Sequence, residues 1–465
     1  MPAHPAGPRH AEVLHEAGAP PVPADLGALA AGVWSAGVAR GSDGALTVRG
    51  TSLRHLADAH GTPSYILDEG DVRARMRAWC AAFEGADVYY AGKAFLSTAM
   101  ARWVAEEGLG LDVCTGGELA VALHAGFDPA RITLHGNNKS AAELTRALDV
   151  GVGRIVVDSF DEIDRLASLT AGRRARQRVL VRATVGVEAH THEFVATAHE
   201  DQKFGFSLVA GAAEEAAARV LAVDGLELVG IHSHIGSQIF DTSAFEVSAH
   251  RVLELLARIR DAHGVELPEV DLGGGLGIAY LPGDDPMATA EVATRLTAIV
   301  EREAVGHGLA APRITVEPGR AIIGPAMLTL YEVGTVKPLE LDGGLRRTYV
   351  SVDGGMSDNI RTALYDADYT CVLANRLSSA PATLTRVVGK HCESGDVVVR
   401  DAWLPQDVRA GDLLAVAATG AYCRSMASNY NHVPRPPVVS IGEDGKDRVL
   451  LRRETEADLL ATDLG

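Results

Sequence analysis

What most constrains this chain is a repeat of form rather than of letters: a short β-rich run, then room for one helix, eight times over. The runs are VYYAGK (88–93), LDVC (111–114), RITLHG (131–136), RIVVDS (154–159), RVLVRATV (178–185), LVGIHSHIG (228–236), VDLGGG (270–275) and ITVEPG (314–319). Between them lie helical patterns such as GGELAVALHAG, SAAELTRALDVG and FDEIDRLASL. Strand, helix, strand in this order implies parallel pairing through βαβ crossovers. Eight such units predict an α/β fold with a closed (β/α)8 barrel. The runs end in polar residues or glycines: Lys93, Asp112, His135, Asp158, Arg182, His234, Gly273 to Gly275 and Glu317. Barrels of this kind carry their chemistry at the C-terminal ends of the strands, so these residues are expected to ring one mouth.

After about residue 325 the texture changes. MLTLYEVGTVKPLEL, RTYVSVDG, YTCVLA, ATLTRVVG, DVVVRDAWLP and DLLAVAA alternate apolar and polar residues without helical spacers, which predicts a C-terminal antiparallel β domain. Residues 45–67 read as a strand and a short helix. The expected organisation is a disordered tail over 1–25, a segment over 26–65 that contributes to the β domain, the barrel over 66–325 and the β domain over 326–465. The Pro- and Ala-rich first residues lack the compact apolar stretch of a signal peptide. No run of about 18 apolar residues occurs, so no membrane span is expected. A net charge of -18 argues against nucleic acid and anionic membranes as partners. A cytoplasmic protein is expected. Five scattered cysteines without a C-x-x-C pair give neither a disulfide framework nor a zinc site.

Read one at a time, the polar residues leave alternatives open. A lysine at a strand mouth can reach water along its own stem, or serve as a Schiff-base amine in a partly desolvated pocket. GGGLG (273–277) departs from the dinucleotide pattern because position 278 is Ile; it reads as a tight turn or as exposed backbone N–H groups that cradle a phosphate. His232 and His234 stand two apart on one strand and want a third ligand, so no metal is expected. Glu317, at a strand end, must be paired or take up a proton if buried. Cys392 and Glu393 read as surface residues of a loop, and Tyr422 as a core tyrosine or a site residue.

Taken together, YYAGK (89–93), HSHIGSQ (232–238), GGGLG (273–277), EPGR (317–320), HCESGD (391–396) and GAY (420–422) resemble, in order and spacing, the fold-type III pyridoxal phosphate decarboxylases. The resemblance extends over roughly residues 45–455 and is closest to the diaminopimelate branch of the ornithine, diaminopimelate and arginine group. THEFVATAHEDQKFGF is similar to the actinobacterial members. It implies a barrel of the alanine-racemase type and pyridoxal 5'-phosphate as cofactor. Lys93 is then the cofactor lysine, Asp112 lies beside it, His234 stacks on the ring and Glu317 faces the pyridine nitrogen. Gly236, Ser237 and Gly275 receive the phosphate, with Gly319, Arg320 and Tyr422 also at the cofactor. A racemase would carry Arg at 317, whereas a carboxylate there keeps the ring protonated and a strong electron sink, which suits decarboxylation. Cys392 is implied to be the acid that protonates the α-carbon, reaching the other subunit of a homodimer whose active sites lie at the interface. Arg320, Arg361, Tyr365, Glu393 and Tyr422 are implied to bind substrate, with arginines for a far carboxylate and Glu393 for a far ammonium. The implied reaction is decarboxylation of meso-2,6-diaminopimelate to L-lysine and CO2. The alternatives are a decarboxylase of ornithine or arginine, or a non-catalytic homologue. The last should have lost Lys93 or Cys392, and both are present. No role is assigned to the 186–204 segment.

Overall fold

The structure, a computed structural model, describes residues 21–186, 203–341 and 346–465. Most of the expected tail over 1–25 and most of the 186–204 segment lie outside the described residues. Two compact units are present, one taking residues 73–278 and 285–322 and the other residues up to 72, Ala279–Asp284 and Ile323–Gly465.

In the first unit eight parallel strands close on themselves. They are β1 (Asp87–Ala91), β2 (Gly110–Val113), β3 (Ile132–Leu134), β4 (Arg154–Val157), β5 (Gln177–Thr184), β6 (Leu226–His232), β7 (Glu269–Asp271) and β8 (Arg313–Val316). Each pairs with the next, and β8 returns to β1. β2, β3, β4 and β7 are buried throughout. Strands covered on both faces read as continuous apolar runs, which is why they stood out in the sequence.

The helices begin where their polar starts dictate. Thr115 accepts a hydrogen bond from the Glu118 amide, Ser140 and Glu143 form a reciprocal capping box, and Ser159 accepts from the Glu162 amide. Each such cap contributes about 1 kcal/mol. Gly151, with φ 75°, ends the Ala141–Val150 helix in the left-handed conformation that glycine adopts at little cost.

The end of the barrel where the strands begin is closed by matched charges. Arg154, first in β4, donates to both carboxylate oxygens of Glu269, first in β7, at 2.7 and 2.8 Å. Its third nitrogen donates to the Tyr89 hydroxyl at 2.6 Å. Arg178 and Arg313 reach the same carboxylate at 2.7 and 2.8 Å. Burial raises the pKa of Glu269, but its arginine partners outweigh that and hold it below the ordinary value.

The second unit is built on a nine-stranded sheet. Its long strand Met327–Glu340 pairs antiparallel with Arg346–Val352, Ser64–Asp68 and Leu413–Val416. Two pairs are parallel: Val438–Ile441 on Ser64–Asp68, and Ala382–Val388 on Arg346–Val352. The sheet is therefore predominantly antiparallel rather than uniformly so. Alternation along one strand records which face is buried, not the direction of its neighbour. Val33, Leu46, Leu53 and Ile66 share a core with Leu328, Leu413 and Val439, so N-terminal sequence is integral to this unit.

Candidate active site

At the opposite end of the barrel, where the strands finish, lies a cavity of about 320 Å³. Among its lining residues are Lys93, Asp112, His135, Arg182, His232, His234 and Glu317. Six of these seven stand at the strand ends named from sequence. Lys93 sits in a short helical turn, Gly92–Ala94, directly after β1, and is exposed to the cavity.

Glycines let the loops of this mouth approach one another. A Cβ on Gly275 (φ 106°) would fall 2.2 Å from the Gly236 carbonyl oxygen, and one on Gly274 2.2 Å from that of Glu317. The Ile239 amide donates to the Gly275 carbonyl at 3.0 Å, so the loops after β6 and β7 are joined beside Gly236 and Ser237. Arg320 is buried and donates to the Ser237 hydroxyl at 2.8 Å. Gly319 lies against Ala91, where a Cβ would meet the Ala91 methyl at 2.9 Å. Gly92 does line the cavity, but its lack of a side chain answers to backbone: a Cβ there would meet the Asp112 carbonyl oxygen at 2.7 Å.

The electrostatics of the mouth centre on Glu317. His135 Nε2 lies 3.0 Å and His232 Nε2 3.3 Å from its Oε1, and His135 Nε2 is also 3.5 Å from Asp112. These are ion-pair distances without hydrogen-bond alignment. Both Asp112 oxygens, both His232 nitrogens, His135 Nε2 and Glu317 Oε1 are buried with no aligned partner among the described residues. Burial first, then Glu317, pushes Asp112 up to about 7. Burial opposes the charge on His135, yet Glu317 and Asp112 together hold its pKa well above the usual imidazole value. Burial likewise opposes the charge on Glu317, but His135 and His232 hold its pKa well below the usual carboxylate range. His232 is lowered by burial to about 4, and His234 is lowered by burial, Lys93 and Arg182.

Two sequence readings change here. Three possible ligands do come together, but His234 is not among them: donor atoms of His135, His232 and Glu317 all lie within 4.8 Å of one another. A metal needs neutral imidazole nitrogens, however, and the carboxylates of Glu317 and Asp112 raise the pKa of His135 against its burial, which favours the protonated ring. His232, given no site role from the sequence, lines the cavity with its Nε2 3.3 Å from Glu317. Sequence reasoning placed His135 at the mouth without a role, because its partners come from β2 and β8. It also missed Lys139, whose Nζ donates to Gly136 O at 2.7 Å, Val156 O at 2.6 Å and Glu162 at 2.7 Å, strapping the loop after β3 to β4. At the edge of the 186–204 segment, Phe204 lines the cavity with the Arg182 guanidinium 4.5 Å from its ring centre.

The remaining named residues belong to the second unit. Cys392 and Glu393 are exposed on a loop that is itself firmly held. The Asp396 carboxylate accepts from the amides of Met356 and His391 at 2.6 and 2.8 Å, and the His391 ring contacts Ser357 and Asn431, each at 2.9 Å. Tyr430 donates to Glu393 at 2.6 Å. Arg361 is buried and donates to the hydroxyls of Tyr280 and Tyr369 at 3.0 and 2.5 Å, while its Nε lacks an aligned partner among the described residues. Tyr365, from the same helical turn, is half-buried. Tyr422, also half-buried, has φ 67° and follows Gly420, where a Cβ would lie 1.8 Å from the Ile323 carbonyl oxygen.

Residues 69–324 match the family described as pyridoxal-dependent decarboxylase, pyridoxal binding domain. The chain is similar to the diaminopimelate decarboxylase of Mycobacterium tuberculosis, at 58% identity over 94% of this chain and 98% of the relative. It is 56% identical to that of Mycobacterium leprae, with 100% of each chain covered. Among solved structures, the diaminopimelate decarboxylase of M. jannaschii in co-complex with L-lysine superposes with a TM-score of 0.85 at 30% identity, covering 93% of this chain and 98% of that one.

Proposed function

We propose that this chain, which belongs to the pyridoxal-dependent decarboxylase family, removes CO2 from meso-2,6-diaminopimelate to give L-lysine, the closing step of lysine synthesis by that route. The observation that carries the reading is the single cavity faced by Lys93, Asp112, His234 and Glu317. The residues present fit pyridoxal phosphate: an amine exposed to the cavity, a buried carboxylate oxygen without an aligned partner, and glycine-jointed loops beside the Arg320–Ser237 pair.

When bound, pyridoxal phosphate supplies an electron-withdrawing ring that stores the electron pair released as CO2 departs. The protein's part is to hold and orient. Lys93 would offer Nζ for covalent attachment, and Glu317, whose pKa His135 and His232 lower against its burial, would accept from the ring nitrogen. His234, kept neutral by burial, can lie against the ring without competing for the carboxylate. Gly236, Ser237, Gly275, Gly319 and Arg320 are assigned to the phosphate side; Arg320 is also assigned to substrate. Asp112 is assigned to the region beside Lys93.

The second unit is proposed to bring Cys392, whose thiol returns a proton to the α-carbon, and Tyr422, which serves cofactor and substrate. An unperturbed thiol has a pKa of about 8.5, close to working pH. Arg361 and Tyr365 are assigned to the far carboxylate and Glu393 to the far ammonium. What supports Cys392 and Glu393 is their exposure on a pinned loop, the condition for serving a second copy; we propose a homodimer on that basis, and, from the sequence reading alone, a cytoplasmic location. Among the described residues no helix is long and apolar enough to cross a membrane.

The test is turnover of the separate stereoisomers of diaminopimelate with added pyridoxal phosphate, following lysine, alongside ornithine and arginine. Lysine from the meso isomer and little CO2 from the other amino acids is expected; faster release from ornithine or arginine would overturn the substrate assignment.

A further inference from the structure

We propose that His135 is a positioning residue that remains cationic and holds Glu317 as an anion, ready for the ring nitrogen of the cofactor; this rests on the decarboxylase reading and extends it to a residue outside the reacting atoms. The geometry gives three reasons. First, His135 stands directly after β3, fixed by its amide's bond to Val113 O at 2.8 Å and by the Lys139 strap four residues later, which holds the carbonyl of the adjacent Gly136. Second, the same ring nitrogen lies between Glu317 at 3.0 Å and Asp112 at 3.5 Å, so its proton is attracted from both sides. Third, the ring packs edge-to-face on that of His232, 5.1 Å between ring centres, which favours this orientation.

The titratable and charged groups facing this pair come from several elements. β2 brings Asp112, with Cys114 directly after it and Glu118 on the following helix; β5 brings Arg182, β6 His232 with His234 after it, and β7 Asp271, while Lys93 follows β1. Asp112 and Asp271 add like charge beside Glu317, and burial, then Glu317 itself, pushes both carboxyls upward. Without a cation at its side, Glu317 would share that fate and take up a proton, offering the ring nitrogen a carboxylic acid in place of a carboxylate. Of the two imidazoles in contact, His232 is depressed to about 4 by burial and is neutral at working pH. The charge therefore falls to His135.

The experiment reads the imidazole 15N resonances of the apo-protein across pH 5 to 9, with His135 assigned by its loss in His135→Gln, or in His135→Asn should the first variant not fold. The expected result is a His135 ring still doubly protonated at pH 7.5. A neutral ring at that pH overturns the proposal. Pyridoxal phosphate affinity is then measured by absorbance titration: H135Q should bind about tenfold more weakly, one pKa unit's worth of lost ring protonation, with part recovered in His135→Lys. Equal affinity in H135Q and the unsubstituted protein also overturns it. Failure of the unsubstituted protein to take up pyridoxal phosphate would instead refute the decarboxylase reading, and the apo-protein resonances would still decide the state of His135.

Discussion

The two ends of the barrel use the same kinds of residue to opposite effect. Where the strands begin, Glu269 is met by Arg154, Arg178 and Arg313 with hydrogen-bonding geometry, and its carboxylate is neutralised. Where the strands finish, Glu317 shares a cavity with Asp112, two histidines touch it off-axis, and several polar atoms lie buried without an aligned partner. A buried charge with matched partners stabilises the fold; one left short of partners is available to a ligand. The contrast teaches that burial alone does not mark an active site. What sets this mouth apart is that several such atoms gather in one cavity.

This contrast can be broken or sharpened by substitution. The largest effect is expected from Lys93→Ala, which should cut turnover by roughly 10⁴-fold or more while the unfolding midpoint hardly moves, as read by paired kinetics and thermal melts. Glu269→Gln should do the reverse: it removes the main anion of buried Arg154, leaving only Asp87 at 3.4 Å, and should destabilise by about 3 kcal/mol in urea unfolding, with turnover per folded molecule preserved. Glu317→Gln should lower kcat by about 10² to 10³, the scale of losing one aligned electrostatic partner. Its stability loss should be smaller than that of Glu269→Gln, because Asp112 still faces His135.

The smallest effect concerns pH. Asp112 has its pKa raised by burial and by Glu317 to about 7, so between its unfolded value and 7 the folded state binds the extra proton and stability falls as pH rises. Asp112→Asn removes that loss. The stability advantage of this variant in the apo-protein should therefore grow from pH 4 to 7 and level off above, by something on the order of 2 kcal/mol, since part of the shift is shared with Glu317. A difference that is flat over this range would contradict the account. Glu269→Gln should give such a flat difference above about pH 5, because Glu269 is held ionised throughout.

Much of the barrel was legible because strands covered on both faces write long apolar runs and their ends write polar ones. Lys93, Asp112, His234 and Glu317 came from that ring and from the resemblance, and the fold brings them to one cavity. His135 stood in the same ring but gained no role, since a histidine's meaning depends on which carboxylates closure brings beside it. The Arg154–Glu269 cluster was invisible for the same reason: each member opens a different strand, and only the closed barrel makes them neighbours. The parallel pairs of the second unit were equally hidden, because alternation is blind to strand direction. The constraint on Gly92, the approach of the Asp112 carbonyl, was hidden in the same way.

The central claim is that the reactive amine is Lys93, which lines the cavity and is exposed to it. The direct measurement is borohydride reduction of the protein loaded with pyridoxal phosphate, followed by peptide mapping by mass spectrometry. The account predicts the reduced cofactor on the peptide containing Lys93 and none on Lys139, whose Nζ is occupied by three acceptors. Label on Lys139 or another lysine, with Lys93 unmodified, would contradict it.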